Sequence, residues 1–60
     1  MNNLQEKAWQ VSRAASRVMM LFLDLAEQAK TKTVYDELEY MAYVWDCKAE
    51  RAYEACGELA

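Results

Sequence analysis

Asp46, Glu50, Glu54 and Glu58 recur at every fourth residue. An α-helix turns about 100° per residue, so this spacing lays four carboxylates along one helix face. Asp36 and Glu39 carry the acidic character toward the start of the same segment, and Tyr40, Tyr43 and Tyr53 are interleaved with the acids. Like charges four residues apart repel by a few tenths of a kcal/mol per pair, and Lys48 and Arg51 relieve only part of this. Tyrosine set among charges brings contact area with little entropy loss, and a row of carboxylates attracts a basic surface. The residues expected to meet a partner are therefore Tyr40, Tyr43, Asp46, Glu50, Tyr53 and Glu54, and the partner is another protein with a basic surface. The plainer reading of the same residues is a solvated helix face with its tyrosines lying flat on the fold.

Other chemistry is poorly supplied. The chain has no histidine for acid–base work near neutral pH, no Gly-rich phosphate loop and no Cys-x-x-Cys pair. Ser12 and Ser16 stand one helical turn apart with no base beside them and read as surface hydroxyls. Cys47 and Cys56 are nine residues apart, about 900° of rotation, and so fall on opposite faces of one helix. They share neither a metal nor a bridge within that helix. Cys56 reads as a small buried residue and Cys47 as one nearer the surface, with pairing to its copy across a dimer axis as the alternative. The expectation is a protein that is not an enzyme and uses no metal or cofactor.

The elements that place these residues follow from the pattern of apolar side chains. With 55% hydrophobic residues, no proline and one glycine, the composition is that of an ordered chain. Asn3 with Glu6 makes an N-cap and capping box, and nothing breaks the following helix before Lys30. The first helix is expected at about 3–30, a turn at 31–33 and the second helix at about 34–56, as a single helical-hairpin domain over 1–60. Thr33 with Asp36 would cap the second helix, and Gly57 would end it in a left-handed conformation. In the first helix Leu4, Ala8, Val11, Ala15, Val18, Phe22, Leu25 and Ala29 step by alternating fours and threes. In the second, Tyr35, Leu38, Ala42, Trp45, Ala49, Ala52, Cys56 and Leu59 do the same. These are heptad seams, as in coiled coils.

Two helices cannot enclose so much apolar surface. Val18 to Leu23 reads Val-Met-Met-Leu-Phe-Leu, which leaves no polar face on that stretch of helix. It is far shorter than the roughly 20 residues that cross a bilayer, so protein must cover it. A chain of 60 residues is also marginal alone. The fold class expected is all-α: an antiparallel two-helix hairpin that self-associates into a homodimeric four-helix bundle. Val11, Val18, Met19, Leu21, Phe22, Leu25, Leu38 and Trp45 would form the dimer core. Met20 and Leu23 make a second apolar patch for another subunit or a partner.

The N-terminus has neither the basic start nor the apolar core of a secretory signal, and two unpaired thiols suit a reducing compartment, so the chain reads as cytoplasmic. Its small size and missing catalytic set suit an inhibitor or adaptor, of the kind encoded by a phage or another mobile element. Charge is divided unevenly: residues 1–32 are net +2 and residues 33–60 net −5. Lys7, Arg13 and Arg17, with Gln10 among them, supply the alternative, a face for RNA phosphates. The architecture itself, in its helix lengths, its short turn and Gln5-Glu6-Lys7, resembles the Rop-type plasmid copy-number regulators. That resemblance implies a helical hairpin that dimerises into a four-helix bundle and binds paired RNA loops through its first helices. The chain departs from the pattern in its Met-Met-Leu-Phe-Leu centre and in its overall acidity, and three basic residues per chain are a thin phosphate footprint.

Overall fold

A computed structural model describes residues 2–59, and they form two helices, α1 (Asn3–Glu27) and α2 (Lys32–Glu58). The helices pack antiparallel into a flat hairpin whose Cα trace measures 45 × 13 × 8 Å. The expected all-α hairpin is therefore present.

The first helix begins where expected, and the other helix ends differ from expectation by two or three residues; the caps differ too. Asn2, not Asn3, caps α1: the Gln5 backbone N–H donates to Asn2 Oδ1 at 2.8 Å, and the Asn2 backbone N–H donates to Gln5 Oε1 at 2.9 Å. Gln5 thus takes the capping-box place expected of Glu6. Thr31, not Thr33, caps α2, accepting the Val34 N–H on its hydroxyl at 3.2 Å. Asp36, released from capping, meets Lys32 Nζ at 2.9 Å, and the Asp36 carboxylate pushes the Lys32 pKa up. The connection is Gln28–Thr31, and α1 ends before Ala29 and Lys30.

Gly57 does not take the left-handed conformation expected of it, and α2 runs through it to Glu58. A Cβ built there meets nothing within 4 Å. Alanine suits a helix better than glycine by up to about 1 kcal/mol, less near an end. Gly57→Ala is therefore expected to raise stability by about 0.5 kcal/mol in urea titration; a loss of stability would mean that the glycine serves a conformation other than this helix.

The seam of α2 is mostly as expected: Ala42 and Ala49 are buried, and Leu38, Trp45, Ala52 and Cys56 are half-buried, while Tyr35 and Leu59 at its ends stay exposed. On α1 the seam is shifted. The positions turned to α2 are Gln5, Ala8, Ser12, Ala15, Met19, Phe22, Ala26 and Ala29, of which Ser12, Ala15 and Ala26 are buried and the rest half-buried. Ala8, Ala15, Phe22 and Ala29 belong to the expected seam. Leu4, Val11, Val18 and Leu25 give way to the residue that follows each of them.

Small residues explain the shift. Alanine and serine let helix backbones approach closely, and Ser12 Oγ donates to the Ala49 carbonyl at 2.9 Å, directly across the interface. The hydroxyl is buried but satisfied, so its cost is largely offset. At the open end Gln5 Nε2 donates to the Cys56 carbonyl at 3.1 Å, Cys56 Sγ to the Gln5 carbonyl at 3.4 Å, and Asn2 Nδ2 to the Leu59 carbonyl at 3.0 Å. The resulting core is made of alanines, and no large side chain is fully buried among the described residues.

Candidate functional site

The register set by Gln5 opposite Cys56 and Ser12 opposite Ala49 brings part of the acidic row of α2 beside the small residues of α1. Ser12, Ser16, Asp46, Ala49, Glu50, Tyr53 and Glu54 line an open groove of about 310 Å³ on one side of the hairpin. Four of the six residues expected to meet a partner, Asp46, Glu50, Tyr53 and Glu54, are therefore together. Tyr40 is not with them: it lies rotated away around α2, in a shallow depression with Asp36, Glu37 and Met41. Tyr43 lies between these two places, exposed, with its phenol pushed above the ordinary tyrosine value chiefly by the Cys47 thiol.

The charges of the groove are unequally compensated. Arg51 is paired with Glu58 at 3.2 Å and stands 4.0 Å from Glu54. Lys48 turns away and sits over the Trp45 ring, its Nζ 5.7 Å from the centroid. Asp46 and Glu50 have no ion pair among the described residues, so the middle of the groove carries the excess negative charge.

Residues passed over or read as plain in the sequence complete the site. Ser12 is a buried contact between the helices, and Ser16, half-buried, shares the groove wall. Trp9 extends the groove toward the open end, where Gln5, Trp9, Tyr53, Glu54, Cys56 and Gly57 line a second depression. Its ring lies 6.2 Å from that of Tyr53, tilted by 56°, a favourable offset for two aromatics. Arg13 also lies over Trp9, its guanidinium carbon 5.5 Å from the ring centroid. The sequence signal for this was the four-residue step from Trp9 to Arg13, which stacks side chains on one helix face.

That stacking divides the alternative RNA face. Arg13 and Arg17 are about 40° apart around α1, but Lys7 is turned some 80° to 120° away from them, and Arg13 is already engaged by Trp9. Met20, 55% exposed, lies on the groove side of α1, with Leu23 at 38% beside it. Of the expected dimer-core residues, Val18, Met19, Phe22, Leu38 and Trp45 are half-buried within the hairpin, and Val11, Leu21 and Leu25 are exposed.

Among the described residues no cluster of three or more His, Cys, Asp or Glu is placed to hold a metal ion, and no helix is long and apolar enough to cross a membrane. Comparison with family models, with curated proteins and with solved structures finds no match for the chain.

Proposed function

We propose that this hairpin is a non-enzymatic protein-binding module of the inhibitor or adaptor type, held as an oligomer by its apolar helix faces and contacting a basic protein surface through its acidic groove. The observation that carries the reading is the uncompensated pair Asp46 and Glu50 in a groove walled by Tyr53, Glu54 and Ser16. Carboxylates in a concave site focus the field and speed the approach of cationic partners. The aromatic pair Trp9 and Tyr53 at the end of the groove offers the buried area that anchors such contacts.

The test compares proteins retained from a cell extract by the immobilised chain and by a Glu50→Lys, Glu54→Lys double variant. The double variant is expected to retain less than about a tenth as much of a specific partner, a change of about 1.4 kcal/mol or more, with unaltered helicity. Retention by the native chain should also fall with added salt, since exposed charges are screened. Equal retention on the two columns overturns this contact surface and moves attention to Met20 and Leu23.

A further inference from the structure

The two broad sides of the hairpin differ in kind. One holds the acidic groove. On the other, Leu4, Val11, Val18, Leu21 and Leu25 of α1 form a stripe, since they fall on the opposite flank of α1 from Ser16 and Arg13 at about 100° per residue. Leu4 and Val11 are 58% exposed, Leu21 60% and Leu25 53%. Antiparallel packing and the same spacing place Val34, Met41, Val44 and Ala55 of α2, with Leu59 just beyond its end, on this same side.

We infer that a second copy of this chain covers the stripe, packed face to face so that four helices share one core. The inference rests on the oligomer in the proposed function and adds which of the two sides it uses.

Area is the first argument. A compact monomer of 7.0 kDa exposes roughly 4,000 Å², whereas the hairpin exposes 4645 Å². The apolar side is 45 Å long and 13 Å wide at the Cα trace; with its side chains it approaches the roughly 800 Å² per partner of a standard stable interface.

Symmetry is the second argument. In a two-fold dimer the same patch must be complementary to itself. The apolar side meets that condition better: helix spacing places only Lys7, Glu37 and Lys48 of the charged residues among its apolar ones, they carry both signs, and Lys48 is folded over Trp45. The groove side does not, because Asp46, Glu50 and Glu54 would face carboxylates of the copy.

Helix geometry is the third. In a four-helix bundle each helix has two neighbours and points its apolar arc between them. Leu4, Ala8, Val11, Ala15, Val18, Phe22 and Leu25 point in that diagonal direction, whereas the seam on Ser12, Met19 and Ala26 points straight at α2. The column of Ala8, Ala15 and Phe22 is common to both and would touch both neighbours.

Light scattering after gel filtration tests the inference on the native chain, on a Leu21→Glu, Leu25→Glu variant and on Met20→Glu from the groove side. The expected masses are twice the chain for the native protein and Met20→Glu, and one chain for the double variant. To separate dissociation from unfolding, Val11→Ala is measured beside the double variant and should raise the dimer dissociation constant at least tenfold. Amide shifts of the native chain on dilution should change at Val11, Leu21 and Leu25 and stay constant at Ser16 and Glu50. A native monomer, dissociation by Met20→Glu with Val11→Ala unaffected, or dilution shifts confined to the groove would each overturn it. A monomer whose partner retention still depends on Glu50 and Glu54 overturns this inference alone and leaves the groove reading intact.

Discussion

Ala49→Leu is expected to lower the stability of the hairpin by about 1–3 kcal/mol. For a chain of this size each kcal/mol corresponds to roughly 4–8 °C in melting temperature, so the shift is readily seen by circular dichroism. Ala49 is only 5% exposed, and its carbonyl already touches Ser12 Oγ at 2.9 Å. Three extra carbons have no room beside that contact. The helices must separate, and the Ser12 hydroxyl then loses its partner while staying largely out of water, adding the cost of an unsatisfied buried group. Gln10→Leu is the control, because Gln10 is exposed on α1, turned away from α2 and lying outside the apolar stripe, and leucine is a good helix former; its melting point should stay within a few degrees of native. Equal melting of the two variants would show that the helices do not approach this closely at Ala49.

Phe22→Asp is expected to have the larger effect. Phe22 is the one large residue in the column that α1 turns both to α2 and to its apolar side. Removing its partial burial forfeits about 1–2 kcal/mol, and a carboxylate in its place must be desolvated or force the site open. Marginal chains of this length have little stability in reserve, so cooperative melting and most helical signal should be lost at neutral pH. The sign with pH follows from the same desolvation. An aspartate held among apolar side chains has a folded-state pKa above its unfolded one, so its neutral form is the better tolerated. Stability lost at neutral pH should return in part as pH falls through the carboxylate range. Phe22→Asn, which cannot titrate, should show no such recovery; identical pH profiles for the two would remove desolvation as the cause.

The hairpin was legible in the chain because both helices keep apolar residues at steps of three and four for their whole length, and because Thr31-Lys32-Thr33 interrupts that pattern. The choice of seam on α1 was not legible. Position 11 is valine and position 12 serine, and apolarity alone selects the valine. The structure selects the serine because a short side chain that can hydrogen-bond the Ala49 carbonyl permits a closer approach than a branched one. Counting apolar residues finds the arc of α1 but not the direction in which its smallest members point.

Capping failed for a related reason. Asn2 and Asn3 are equivalent by propensity, as are Thr31 and Thr33, and for the asparagines a tertiary contact adds to the choice. Asn2 at the cap position also reaches the Leu59 carbonyl, 57 residues away along the chain. Of the acidic row, Asp46, Glu50 and Glu54 were readable from their four-residue spacing. The presence of Trp9 at the end of their groove was not, since it needs the register between the helices.

The fastening of Asn2 and Gln5 to Leu59 and Cys56 also bears on the order of events in folding. These contacts span 57 and 51 residues of chain, while the helices are joined by only Gln28–Thr31. Closing a long loop costs more entropy than closing a short one, so assembly that starts at the connection and proceeds pair by pair toward the termini is the least costly route. On that route the fastening forms last and opens first. Amide exchange should accordingly begin at the open end, and the part of the groove bounded by Trp9 and Tyr53 loosens before the part nearer Met20.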